Sequence, residues 1–212
     1  MLPPPNIFIC TNKSELEISP LRVYVEGYSM DCSVIPTCRV GESASVNRNY
    51  ALSLSKTPVI IMIDDDVAGF YRGWWRDLIS VLEDPNVVFA SARLMTEDGS
   101  LAGMMYGSTN LEMPTEDVPQ APTACCAFRI DNAMKFDEGF KGSGMEDSLF
   151  CWQLRKRYTS GRILINNNCR IIHYNVMQGQ LENYEHNKKI YEEKTGVRIP
   201  TSLDDLDEMV VT

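Results

Sequence analysis

The segment VIIMIDDDV, residues 59–67, constrains this chain more than any other. Five apolar residues, 59–63, run straight into Asp64, Asp65 and Asp66. A short unbroken run of Val and Ile is the pattern of a strand buried on both faces of a parallel sheet. Three adjacent carboxylates cannot extend that strand into a core, because unpaired buried charge is too costly. The strand therefore ends here, with its acids at the carboxyl edge, where open α/β sheets bind ligands. In extended backbone Asp64 and Asp66 point to one side. Two carboxylates on one side offer hard oxygen ligands for Mg²⁺ or Mn²⁺, commonly completed by substrate phosphates. The competing reading is an acidic helix N-terminus. A cap uses one acid, and this run has three.

A second acidic constellation is GSGMEDSLFCWQLRKR, residues 142–157. Ser143-x-x-Glu146 fits a capping box, and first-turn acids suit the helix dipole. That accounts for Glu146 and less well for Asp147. A glycine-flanked acid facing the sheet edge can instead act as a general base, so both readings stand. His173 ends the apolar pair Ile171-Ile172 and emerges at another strand terminus. Alone it reads as a packed or solvated histidine; beside an Asp-x-Asp site it becomes a candidate ligand for the same metal. His186, in ENYEHNKK, reads as solvated.

The 212 residues fit one domain, or two small ones. No apolar run approaches the ~20 residues of a membrane span. MLPPPNIFIC lacks a basic region before an apolar stretch, which speaks against a signal peptide. The expectation is a soluble cytoplasmic protein without a membrane anchor. Seven cysteines form no C-x-x-C pair, so zinc is unsupported and reduced, mostly buried thiols are expected. The net charge of −9 argues against a nucleic-acid backbone as main ligand. The cluster Arg155, Lys156, Arg157 and Arg162 keeps that question open, although cations in a last helical turn also suit the dipole.

Hydrophobic spacing predicts strands at 6–10, 22–26, 59–63, 87–92 and 125–130, a turn at 27–31, and short strands at 163–165 and 170–173. Helices are expected at 42–54, 71–83, 143–158 and 178–194. Residues 93–106 read as a hairpin around Asp98-Gly99, and 107–123 as a loop able to serve as a lid. Trp75 belongs to the core face of its helix. Trp74 is expected to be exposed, where it could stack on a sugar or base. Strand and helix alternate, which indicates a right-handed parallel α/β unit.

Several segments in this order resemble the GT-A glycosyltransferases, family 2-like enzymes in particular, across roughly residues 6–195. NIFICTNK resembles the first strand and its nucleotide-contacting end. VYVEGYSMD resembles the second strand and its acidic turn, with Glu26 where the family commonly has Asp and Tyr28 where it has Gly. VNRNYAL resembles the arginine–asparagine helix, VIIMIDDDV the strand with the Asp-x-Asp metal motif, FDEGFKGSGMEDSLFCWQLRKR the acceptor-side segment with its Glu-Asp pair, and RIIHYN the late histidine. The resemblance implies an α/β GT-A fold with a mostly parallel central sheet flanked by helices. It implies one domain over residues 1–200: a nucleotide-binding half at about 6–92, an acceptor-side half at about 93–175, a C-terminal helix at 176–200, then an acidic tail at 201–212.

The same resemblance implies a nucleotide-diphosphate sugar donor, UDP-linked by default. Asp64, Asp66 and His173 would hold Mn²⁺ or Mg²⁺. Thr11, Glu26 and Asp31 would lie near the nucleoside, Arg48 and Asp65 near the donor. Asp147, or else Glu146, would deprotonate an acceptor hydroxyl for transfer with inversion. The acceptor is a glycan, protein, small molecule or hydroxylated DNA base. Two alternatives remain: a binding module without turnover, and a haloacid-dehalogenase-like phosphohydrolase with Asp64 as nucleophile and Asp66 as acid/base.

Overall fold

Ser14 and Glu17 decide the second element of the chain. Each side chain bonds the other's backbone N–H, a capping box that starts helix α1, Glu15–Tyr28. Ile18 and Val25 are buried and Leu21 packs beside them, a helical spacing that reaches across the segment where a strand is expected at 22–26. The short alternation of RVYVE loses to this local start signal. The second strand comes later, in Ser33–Cys38, and its Pro36 is tolerated because the strand lies at the sheet edge.

The computed structural model describes residues 2–102, 111–130, 134–174 and 182–199. The strands are β1 (Asn6–Thr11), β2 (Ser33–Cys38), β3 (Val59–Asp64), β4 (Val67–Ala68), β5 (Val87–Met95), β6 (Thr115–Asp117), β7 (Cys125–Arg129) and β8 (Arg162–His173). After α1 come α2 (Ala44–Leu54), α3 (Trp74–Ser80), α4 (Glu146–Arg157) and α5 (Tyr184–Thr195). The sheet order is β2-β1-β3-β7-β5-β8-β4, with β6 on β8. Strands β2, β1, β3, β5 and β8 run one way; β7 is inserted antiparallel between β3 and β5, and β4 and β6 pair antiparallel with β8. The fold is thus mixed α/β, with a central, mostly parallel sheet flanked by helices.

Strand β3 is buried on both faces, as its composition requires. Ile61 and Ile63 pack with α1 and α3, alongside Ile18, Val25, Trp74 and Leu78. Ile60 and Met62 face the other layer, with Ala51 of α2 and Phe150 and Leu154 of α4. Each such side chain contributes about 1.5–3 kcal/mol by leaving water. Trp74 is fully buried, against the expectation of an exposed ring. Its Nε1 donates to Ser29 Oγ at 3.0 Å and its ring meets Phe70 at 4.7 Å. The helix at 71–83 is shorter than expected, about two α-helical turns followed by a 3₁₀ turn at Val81–Glu83.

The two short strands expected at 163–165 and 170–173 are one strand, β8. Its register against β5 jumps from Ala92↔Asn166 to Arg93↔Arg170, so Asn167, Asn168 and Cys169 form a bulge. Buried Asn167 accepts from Arg93 Nε at 2.5 Å and fixes that bulge. Beyond it β8 reaches β4, where His173 stands opposite Val67. Residues 115–117 of the expected loop are a strand rather than irregular chain, and part of that loop, the end of the hairpin, the start of the last helix and the acidic tail lie outside the described residues.

Candidate active site

The carboxyl ends of β1 and β3 open into a cavity of about 420 Å³. Helices α2 and α4 and the two residues before α5 contribute to its walls, lined by Arg48, Asp147 and Asn183 among others. Thr11, Arg48, Asp64, Asp65, Asp66, Glu146, Asp147 and His173 all line it. Glu26 and Asp31 do not. Glu26 sits on the exposed side of α1, bonded to Arg22 at 2.9 Å. Asp31 precedes β2, at the amino edge of the sheet, and pairs with Arg76 at 3.3 Å. Both expectations depend on a strand at VYVEG, and the α1 helix removes their basis.

The three aspartates at the end of β3 go to three different partners. Asp64 is anchored by its backbone N–H to Ala124 O at 2.9 Å, and both of its side-chain oxygens accept from Arg48 Nη2, at 2.9 and 3.1 Å. Asp65 accepts from Thr11 Oγ1 and lies 3.2 Å from Lys13 Nζ. Asp66 pairs with no lysine or arginine among the described residues. Its Oδ1 lies 3.2 Å from His173 Nε2 and is sealed from solvent without a hydrogen bond of good geometry. Its carbonyl accepts from Tyr174 N at 3.0 Å, which ties the acid to the end of β8.

Asp64, Asp66 and His173 each offer a ligand atom, all within 4.8 Å of one another. Two carboxylate oxygens and one imidazole nitrogen suit Mn²⁺ and are compatible with Mg²⁺. The buried Oδ1 of Asp66 supports the fit, since it has only the poorly aligned His173 ring beside it and a cation between the two would satisfy both. Burial pushes the Asp64 carboxyl upward, Arg48 pulls it back, and Asp66 raises it again, leaving it above its ordinary range. Burial disfavours the charged ring of His173, but Asp66 and Asp64 outweigh that and hold its pKa above the ordinary value.

The loop before α4 is built on left-handed backbone. Gly142 and Gly144 have φ of 59° and 110°, and Met145, at 67°, is the N-cap of α4. Ala44 N donates to Gly142 O at 3.1 Å. Asn187 of α5, almost fully buried, takes the Lys141 N–H and donates to the carbonyls of Lys141, Ser143 and Gly144. The capping box predicted for Ser143 and Glu146 is absent: α4 has no side-chain cap. Glu146 turns inward instead, to Arg48 Nη1 at 2.8 Å and Gly144 N at 2.5 Å. Asp147 is left with its neighbour Ser148, whose N donates at 2.7 Å. Its surface touches the cavity while protein surrounds the rest. Burial, then the adjacent Glu146, pushes its pKa up to about 7, against smaller opposing effects of Arg48 and Ser148.

Asn12, Glu42, Asn47, Glu182 and Asn183 also line the cavity and are not singled out by the sequence patterns. Asn12 follows the end of β1 and is open to the same strand-edge argument as Asp64. Glu182 and Asn183 precede a polar helix with no distinguishing pattern. Cys10 lines the cavity too, but burial pushes its thiol up to about 12, unsuited to a nucleophile. All seven cysteines are free thiols, five of them buried. Arg155 and Arg162 of the basic cluster share Asp117, Arg162 also reaches Asp84, and Lys156 lies over Trp152. Among the described residues no helix is long and apolar enough to cross a membrane.

No protein-family model matches the chain, and no curated protein sequence matches it. Among solved structures it is similar to a crystal structure of GalNAc-T7 with UDP, GalNAc and Mn²⁺, at a TM-score of 0.56 and 14% identity. The match covers 95% of this chain and 47% of that one, so the chain spans about half the neighbour's length. At that identity the likeness is one of fold, and the fold shared is the α/β arrangement expected of the GT-A type.

Proposed function

We propose that the chain transfers a glycosyl group from a nucleoside-diphosphate sugar, UDP-linked by default, to an acceptor hydroxyl. The observation that carries this reading is one cavity lined by two chemically distinct groups. Asp64, Asp66 and His173 form a cation-ligand set at a parallel strand terminus. Asp147 lines the same cavity, a carboxyl raised to about 7. The neighbour of similar fold holds UDP and Mn²⁺, which supports the same classes of ligand here.

A divalent cation bound by Asp64, Asp66 and His173 would offset the charge that develops on the departing diphosphate. Asp147 accepts the acceptor's hydroxyl proton as that oxygen attacks the anomeric carbon. The bond from that carbon to the β-phosphate oxygen breaks, its electron pair leaves with the nucleoside diphosphate, and the centre inverts. A base near pKa 7 is half-ionised at neutral pH and matched to this proton transfer. Glu146 is spent on Arg48 and Gly144 and serves as an anchor rather than the base. Thr11 orients Asp65, and the pair forms the floor beside the nucleotide.

The phosphohydrolase alternative asks Asp64 to attack phosphorus. Both of its oxygens accept from a buried guanidinium, an arrangement that lowers nucleophilicity. A hydroxylated base in DNA loses its support as acceptor, because Arg155 and Arg162 are committed to Asp117. Calorimetric titration of UDP, GDP, CDP and dTDP, each with and without Mn²⁺, tests the proposal. Binding of one of them only with Mn²⁺ is expected. Absence of binding by all four in Mn²⁺ overturns it.

A further inference from the structure

We infer that Arg48 competes with the divalent cation for Asp64, so that a buried arginine sets the affinity of the metal site from behind. The inference rests on the cation-site reading of Asp64, Asp66 and His173. Asp64 has two faces. On one it meets Arg48, 3% exposed, whose Nη2 is shared between both carboxylate oxygens. Toward the cavity it is open, with 27% of its side chain exposed, and there it faces Asp66 and His173. A cation ligated from the open face must take electron density that the guanidinium already draws from the closed one.

Arg48 cannot step aside. Nη1 is fixed by Glu146 Oε1, Glu146 is fixed by Gly144 N, and the Phe136 ring lies 5.6 Å from the guanidinium carbon. Nε is buried and without an acceptor. The guanidinium keeps its charge at every accessible pH. A bound cation and the guanidinium would share one carboxylate, and each weakens the other's hold.

The arrangement has a use before any ligand arrives. Asp64, Asp66, Glu146 and Asp147 line the same cavity, and like charges so gathered repel one another. Arg48 ties Asp64 to Glu146 through one guanidinium and holds the two acids together. The consequence is a moderate cation affinity in the nucleotide-free protein, so that the ion exchanges freely and enters with the diphosphate that completes its shell.

The test is Mn²⁺ titration of nucleotide-free protein at pH 8, followed by the paramagnetic resonance signal of free Mn²⁺, for wild type, Arg48→Met and Asp66→Ala. Arg48→Met is expected to bind Mn²⁺ roughly tenfold tighter, a usual size for coupling between two sites. Affinity equal to or weaker than wild type in folded Arg48→Met overturns the competition. Loss of binding in Asp66→Ala establishes that the titration reads the cation site itself; if Asp66→Ala binds Mn²⁺ like wild type, the cation-site reading fails and the competition with it. Because Arg48→Met removes a buried charge partner and can fail to fold, the wild type supplies a second readout. Mg²⁺ titration should shift the ¹⁵N guanidinium resonance of Arg48, identified by its loss in Arg48→Lys, with the same midpoint as cation binding. A resonance that stays in place through saturation overturns the inference.

Discussion

Two runs of adjacent acids line the cavity, joined by one arginine, and the fold treats them alike. At the end of β3, Asp64 is held by Arg48 and Asp65 by Thr11 and Lys13, while Asp66 meets only His173. At the start of α4, Glu146 is held by Arg48 and Gly144, while Asp147 meets only Ser148. In each run the neighbours are tied down and one carboxylate is left without an arginine or lysine partner among the described residues. Arg48 connects the two runs, with one nitrogen on each. Adjacent acids in a sequence therefore need not share a role. Asp65 and Glu146 are held wholly by partners within the protein, Asp66 and Asp147 are left for a ligand, and Asp64 stands between, held by Arg48 and yet within the cation-ligand set.

The comparison is broken most directly at Asp66. Asp66→Ala should reduce Mn²⁺-dependent UDP binding by ~100-fold or more, since even an outer-shell partner of a metal ligand is worth 10–100-fold. Calorimetry with UDP and Mn²⁺ measures it, and unchanged affinity would return Asp66 to a structural role. The next largest effect is expected at Asp147. Asp147→Asn should lower kcat by roughly 10²–10⁴-fold, the usual worth of a positioned general base. The Kd for UDP should stay the same. A variant with normal turnover would leave the two runs unlike, with a functional acid in one only.

The raised pKa of Asp147 sharpens the same point through pH. As a base it must be ionised, so kcat should fall about tenfold per pH unit below about 7, and that limb should vanish from the residual rate of Asp147→Asn. Stability moves in the opposite sense. A carboxyl whose folded pKa is raised contributes stability fully present below its unfolded pKa, near 4, and lost as pH climbs to about 7. Asp147→Asn should therefore gain in Tm over wild type at pH 8 and gain little at pH 4. Equal Tm differences at both would mean that burial does not raise this group.

How legible these features are depends on whether the signal is local. Strand β3 and its terminal acids are legible, because an apolar run stopped by charge has one physical solution. The helix around Arg48 and the strand at 125–130 follow from short-range pattern as well. The segment at 22–26 misleads because five alternating residues look like a strand unless the Ser14–Glu17 box upstream is weighed with them, and Glu26 and Asp31 fall with it. Trp74 looks solvent-facing on a helical wheel; its burial depends on Phe70 and Ser29, contacts that spacing within the helix cannot express. The partition of Glu146 from Asp147 is illegible for a related reason. It is made by Arg48, 98 residues away from Glu146.

That partition also yields the smallest predicted effect. Ser143-x-x-Glu146 has the spacing of a capping box, yet Met145 is the N-cap of α4 and neither side chain caps it. Ser143→Ala should then shift stability by less than about 0.5 kcal/mol, the range of an ordinary surface change. A true N-cap serine would cost about 1 kcal/mol on the same substitution. Denaturant unfolding of the two proteins separates these values. A loss near the larger figure would mean that Ser143 holds the start of α4 and that Glu146 divides its carboxylate between cap and arginine. A loss near zero leaves Glu146 wholly to Arg48. The helix start then depends on the left-handed turn at residues 142–145 and on Asn187, which binds that turn's carbonyls from α5.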